Sequence, residues 1–294
     1  MLLLGATGQV GAELARQFRD ADLTVPDRKA ADLSRPDSLR AVVRGARPSV
    51  ILNAAAYTAV DRAEGEPELA DRVNHLAPGV LAEEAERARA LLVHYSTDYV
   101  FDGSKAEPWV ETDQPAPLNV YGASKLAGER AIAEACSRHT ILRTSWVYAP
   151  RGHNFLQTML RLGRERDLLR VVDDQWGAPT TAAALAEATR AVVERICDGQ
   201  TGAAESWAGV YHASCGGQTS WCGFAQAIFS QAAKQEARTW PTVMGIASVD
   251  YPTPARRPRN SALSNGKLAE RFGVHLPSWQ RGLQDALEQM YGAT

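Results

Sequence analysis

The sequence predicts an α/β fold with a parallel, doubly wound sheet. Three observations point there. Short apolar runs alternate with longer helical patterns through residues 1–150. The runs are apolar throughout, as strands covered on both faces are. A glycine-rich turn sits between the first run and the first helix. In order, 2–4 reads as a strand, 12–19 as a helix, 23–25 as a short strand, 37–45 as a helix and 49–52 as a strand. Residues 66–89 carry one or two helices, broken near Pro78-Gly79; 91–95 is a strand, 121–136 a helix and 140–143 a strand. This alternation is the signature of βαβ units. After about Trp146 the rhythm weakens: 154–163 looks helical, 169–172 strand-like, 180–197 an alanine-rich helix and 209–214 a strand. The expected organisation is a nucleotide-binding domain over 1–147, with about 177–214 returning to it. A smaller substrate-binding lobe takes 148–176 and 215–294.

Composition narrows the classes. Hydrophobic residues make up 45% of 294, and the net charge is −2. That balance gives no reason to expect nucleic acid or an anionic membrane as partner. No apolar run approaches the ~18 residues of a membrane helix, and the N-terminus has no basic leader. Cys136, Cys197, Cys215 and Cys222 form no C-x-x-C pair and no zinc spacing. His75, His139, His153, His212 and His275 show no metal-ligand spacing, and His94 reads as a packed strand histidine. The expectation is a cytoplasmic protein with reduced thiols and no metal.

The stretch "LLLGATGQVG" places Gly5, Gly8 and Gly11 between strand and helix. Glycines there permit a tight turn, close approach of a pyrophosphate, and close helix–sheet packing. The helix N-terminus offers free N–H groups to phosphates. Thr7, Gln9 and Val10 complete the loop. In "VPDRKAADL", Asp27 stands beside Arg28 and Lys29. An acid would bond a ribose 2′-hydroxyl, and a base would hold a 2′-phosphate. Arg28 and its neighbour favour NADPH, with NADH left open; solvated loop charges are the plain alternative. Small residues after the next strand, Asn53-Ala54-Ala55, let a cofactor lie against the backbone.

"YGASK" puts Tyr121 and Lys125 on one helix face. An ammonium about 5 Å from a phenol, at an effective dielectric of ~20, is worth on the order of 3 kcal/mol, or about two pK units. The tyrosine then serves as acid in ketone reduction. Thr97 closes a strand in "HYSTDYVFDG", where ligands of such sheets bind. Thr97, Tyr121 and Lys125 are the candidate catalytic set.

The glycine spacing G-x-x-G-x-x-G resembles the extended short-chain dehydrogenase/reductase superfamily, and its Rossmann-like domain. Asp32-Leu33 resembles the step that contacts adenine there. The 4,6-dehydratases of nucleotide sugars read Thr-Asp-Glu at the strand end. Here Tyr99 replaces the glutamate, so elimination machinery is incomplete. The whole set resembles the dTDP-4-dehydrorhamnose reductase family: "GATGQVG", "NAAAYTAVDRAEGEPELA", "VHYSTDYVFDG", "LNVYGASKLAGE", "RTSWVYA", "NFLQTMLRL", "DDQWGAPT" and "YPTPARRPRNS". The resemblance implies NAD(P)H-dependent reduction of the C4 ketone of dTDP-4-keto-L-rhamnose. It places Thr58, Val60, Asp98, Tyr99 and Trp146 near the sugar, and Arg257 and Asn260 at the nucleotide. Arg256 and Arg259 are expected to be plain surface charges. The alternatives are a 4-ketoreductase for another deoxysugar and a silent regulatory subunit. Glu13 matches one magnesium-binding glutamate of some relatives, but Ala183 stands where a second belongs. No such site is expected, and the chain is a monomer or homodimer.

Overall fold

The runs at Leu2–Leu4, Val50–Asn53 and Leu91–Thr97 are buried at every residue. Chains that bury both faces of a strand must cover both with helices. The computed structural model describes residues 1–292 and does so. Five parallel strands stand in the order Leu2–Leu4, Val50–Asn53, Leu91–Thr97, His139–Thr144 and Gly209–His212. One face sends Leu3, Leu52 and Val93 to Leu14, Leu185, Val192 and Ile196 of helices Gln9–Gln17 and Ala182–Cys197. The other sends Leu2, Leu4, Ile51 and Leu92 to Leu39, Val43, Leu81 and Ile132. These lie on helices Asp37–Ala46, Ala77–Ala88 and Val120–Ala135.

Residues 23–25 do not form the expected strand. Thr24 makes one parallel bridge to Leu2, with hydrogen bonds of 3.0 Å to Leu3 N–H and 2.9 Å from its own N–H to Met1 O. Pro26 has no N–H to extend that ladder. The bridge still has a topological meaning. Thr24 lies on the far side of Leu2–Leu4 from Val50–Asn53, so the order reverses at the first strand. Ligand crevices open at such a reversal, and the glycine loop leaves from it.

The expected break near Pro78-Gly79 is a register slip instead. Helix Pro67–Asp71 runs through a π turn, Arg72–Leu76, into Ala77–Ala88. Pro78 cannot donate to the Asn74 carbonyl, and the wider turn absorbs that loss. Asn74 instead ties Tyr57 N–H at 2.9 Å and Ser124 Oγ at 3.0 Å.

The second core is separate. Tyr148, Leu156, Leu160, Val171, Phe224, Ile228, Leu283 and Leu287 pack together. They come from helices Phe155–Glu165, Trp221–Ala232 and Trp279–Tyr291, from the short strand Val147–Tyr148 and from strand Leu168–Val172, which pairs in parallel with Thr242–Ile246. The division differs from expectation at one place. Helix Gly266–Phe272 sends Leu268 and Phe272 into the sheet core, with Phe272 5.0 Å from the Tyr211 ring. The stretch 215–294 is therefore not all lobe. Among the described residues, no helix is long and apolar enough to cross a membrane.

Candidate active site

Parallel strands bring all their carboxyl ends to one edge. The first strand delivers the glycine loop there. Gly5 has φ +82°, and a Cβ on it would meet Ala55 N at 2.6 Å. A Cβ on Gly11 would meet Gly5 O at 2.1 Å. The loop is thus closed down upon itself, and only glycine fits. Gly8 begins helix Gln9–Gln17 with no side-chain cap, which leaves first-turn N–H groups free for an anion. Thr7 and Gly8 are exposed; Val10 packs inward; Gln9 accepts from Asn154 Nδ2 at 2.7 Å, tying the loop to the lobe. Arg28 is exposed, and Asp32 accepts from Ser34 N and Oγ at 2.9 and 2.7 Å, which holds its carboxyl below the usual range. Leu33 is buried in the sheet core, and Ala54 and Ala55 line the loop's floor. The Asn53 amide is buried and turned to His94, so only its backbone faces the loop.

The third strand ends at Thr97. Its Oγ donates to Asp98 Oδ1 at 3.0 Å and accepts from Tyr99 N at 3.1 Å. The Thr97 hydroxyl also faces the Tyr121 phenol closely enough to act on its pKa. Asn119 caps the Tyr121 helix, accepting from Gly122 N at 2.8 Å, so the tyrosine stands in the first turn facing the strand end. Lys125 is one turn on and fully buried. Its Nζ donates to Tyr95 O at 2.6 Å and meets His94 Nε2 at 3.1 Å.

The electrostatics correct one expectation. Burial pushes the Tyr121 phenol up to about 12; the Thr97 hydroxyl opposes that rise and the Asp98 charge adds to it. Lys125 is not among the causes of this shift; its Nζ is held by the Tyr95 carbonyl and the His94 ring. Burial also brings Lys125 down to about 8, with Glu129 opposing. Asp98 rises to about 6 for the same reason, against hydrogen bonds from Ser261, Thr97 and Ser145. Asp98 is 2% exposed, so it orients Thr97 from inside the wall.

Comparison with known proteins places the chain in a family. The family profile described as RmlD substrate binding domain matches residues 1–291. A dTDP-4-dehydrorhamnose reductase of Burkholderia thailandensis is 49% identical over 95% of both chains. That of Escherichia coli K12 is 44% identical over 100% of this chain and 99% of its own. A crystal structure of the Bacillus anthracis dTDP-4-dehydrorhamnose reductase in complex with NADP superimposes with a TM-score of 0.89, at 36% identity and 98% coverage of each. The chain belongs to the dTDP-4-dehydrorhamnose reductase family.

The remaining residues that the family resemblance singled out divide into three groups. Tyr99 is buried, its ring edge-on to Tyr121 at 6.0 Å. Thr58 is exposed, and Val60 opens the short helix Val60–Ala63. Trp146 sits at φ +46°, left-handed for a residue with a Cβ, and its ring stacks on Trp221 at 3.5 Å and 5°. Gly177 makes room for it: a Cβ there would meet the Trp146 ring at 2.6 Å. Trp221 is a residue that sequence reading missed, since nothing in "TSWCGF" marks it.

In the late loop, protein groups hold both Arg257 and Asn260. Arg257 forks onto Asp61 at 2.8 and 3.1 Å, so a carboxylate already holds it, and Asp61 is kept below its usual range. Asn260 does not present a free amide. Its Nδ2 is bonded to the carbonyls of Lys105, Ala106 and Glu107 at 2.8–3.1 Å. Arg256 and Arg259 are both exposed, and Arg259 lines a cleft of about 450 Å³ with Lys105, Asp174, Trp176 and Gln218. Glu13 is buried and paired with Arg16 at 2.8 Å.

Proposed function

We propose that this chain reduces the C4 ketone of dTDP-4-keto-L-rhamnose with NADPH, giving dTDP-L-rhamnose. The observation that carries the reading is the Thr97–Tyr121 hydroxyl pair, on the same sheet edge as an uncapped glycine loop. The residues present fit a dinucleotide. Gly5, Gly8 and Gly11 leave backbone open to a pyrophosphate, and exposed Arg28 offers a cation to a 2′-phosphate. The nicotinamide, when bound, supplies the hydride. Tyr121 gives its proton to the ketone oxygen, and the Thr97 hydroxyl, turning its proton from Asp98 to that oxygen, orients it by a second hydrogen bond. Lys125 holds the floor beneath them. Trp146, stacked on Trp221, forms an apolar wall for the deoxysugar, with Tyr99 beside it. The cleft of Arg259, Lys105 and Trp176 is the place for the nucleotide end: cations suit the diphosphate and the indole suits the base. Arg257, fixed by Asp61, joins the two regions. A cytoplasmic setting accords with four free cysteines.

The test is direct. Pure protein, NADPH and dTDP-4-keto-L-rhamnose, formed in situ, should oxidise the cofactor and yield dTDP-L-rhamnose. Tyr121→Phe should fold normally and lose at least about 100-fold in rate. Cofactor oxidation that survives in Tyr121→Phe would reject the assignment. No oxidation by the wild type would move the substrate to another keto-sugar.

A further inference from the structure

His94 lies behind the catalytic floor, on the central strand, with no exposure to solvent worth naming. It reads from sequence as filler. Its two nitrogens nevertheless meet two polar side chains. Asn53 Nδ2 lies 3.0 Å from Nδ1, and Lys125 Nζ lies 3.1 Å from Nε2. Asn53 is itself pinned, because Ala55 N–H donates to its Oδ1 at 3.3 Å. Its NH₂ must therefore donate to His94 Nδ1.

The donor and acceptor inventory then decides the ring. Burial and the neighbouring lysine keep His94 far below its ordinary pKa, so the ring is neutral. With Nδ1 accepting, its single proton is on Nε2, which donates to Lys125 Nζ. A nitrogen that accepts is an amine. Charging Lys125 makes Nζ a donor only, so His94 must accept at Nε2 and carry its proton on Nδ1. That proton then faces the Asn53 NH₂, and one hydrogen bond is lost. The other groups around Lys125 do not duplicate this effect. Glu129, on the same helix, favours the ammonium but is clamped by Arg143 at 2.6 and 2.9 Å. Tyr95 contributes only its carbonyl, Asn74 on the π turn is neutral and holds Ser124, and Tyr121 and Asp98 face Thr97.

We propose that His94 is a positioning residue for the reduction: oriented by Asn53, it acts through Lys125, holding the lysine in place and setting how readily it keeps its proton. The inference rests on the reductase reading for its consequence, but not for its measurement. Lys125 is one of five lysines, so its charge is readable by ¹³C-lysine NMR, with Lys125→Met identifying its signal.

His94→Gln places an amide oxygen within reach of Nζ and favours the ammonium. The Lys125 midpoint should rise by about one pH unit, and the kcat–pH profile should move with it. The KM values should stay within roughly two-fold, as expected for a residue that touches neither ligand. His212→Gln removes an equally buried histidine two strands away, and should leave the midpoint and profile unchanged. A folded His94→Gln with the wild-type midpoint overturns the proposal, as does an equal shift in His212→Gln. The wild type gives a reading without any variant. ¹⁵N-histidine NMR should find His94 as the neutral Nε2–H tautomer above the Lys125 midpoint, and a Nδ1–H tautomer there would overturn the proposal. Absence of turnover with a normal titration would remove the reductase reading and leave the His94–Lys125 coupling standing.

Discussion

Asp98→Asn should stabilise the protein at pH 8. The carboxyl is buried, and its folded value stands at about 6 against an ordinary 3.8. A raised folded pKa means the native state binds more protons than the unfolded one between pH 4 and 6. Stability therefore falls as pH rises through that window. The displacement corresponds to roughly 3 kcal/mol once both states are ionised. The asparagine keeps an oxygen to accept from Thr97, now 3.0 Å from Asp98 Oδ1. Its NH₂ can donate to Ser145 Oγ, which now donates to Oδ2 at 3.0 Å. For a chain of 294 residues, 3 kcal/mol is about 5 °C in Tm. Urea unfolding of both proteins at pH 4 and pH 8 measures the effect. The advantage of Asp98→Asn should grow by about 2.5 kcal/mol between the two, since the unfolded carboxyl is already partly ionised at pH 4. An advantage that does not change with pH would refute the reasoning, and so would a variant less stable than the wild type at pH 8.

Three further outcomes follow from contacts. Gly11→Ala puts a methyl 2.1 Å from Gly5 O, so the loop must open. NADPH affinity, followed by fluorescence titration, should fall by at least ten-fold, or about 1.4 kcal/mol. Trp221→Ala removes the ring stacked on Trp146; losing about 1 kcal/mol of aromatic pairing should raise the sugar-nucleotide KM roughly five-fold, with the NADPH KM unchanged. Asp61→Ala frees Arg257. The pair is partly exposed, with Asp61 at 39%, so stability should drop by no more than about 1 kcal/mol. The substrate KM should rise and become more sensitive to salt.

The sheet was legible because its signals are local. Leu2–Leu4, Leu91–Thr97 and the Asn119-capped helix each carry their own pattern of apolar residues, caps or glycines. The Thr97, Tyr121 and Lys125 positions follow from strand end and helix spacing. What failed depends on partners distant in sequence. Residues 23–25 have strand composition, but Pro26 ends the pairing after one bridge. Arg257 and Arg259 are two apart in one loop and chemically alike. Only the fold brings Asp61 to the first and leaves the second lining a cleft. Asn260 looks like a ligand donor until the carbonyls of 105–107 surround its amide. His94 looks like packing until the fold sets Asn53 and Lys125 on its two nitrogens.

Enclosure moves the titratable groups at the site toward neutrality: Asp98 upward, Lys125 downward, Tyr121 upward. A phenol at about 12 is a poor base at neutral pH, yet it is fully protonated there. Ketone reduction consumes the protonated form, and the oxygen receiving the proton becomes an alkoxide as hydride arrives. That alkoxide is far more basic than a phenolate, so the transfer runs downhill without a depressed phenol. Alcohol oxidation would need the phenolate as its starting form, which this wall holds back. The site's electrostatics are thus fitted to the reductive direction. A rate of reduction that stays level from pH 6.5 to 7.5, below the Lys125 midpoint of about 8, while oxidation of the alcohol climbs about ten-fold per pH unit, is the expected pair of profiles. Parallel profiles in the two directions would mean that a group other than Tyr121 limits the proton transfer.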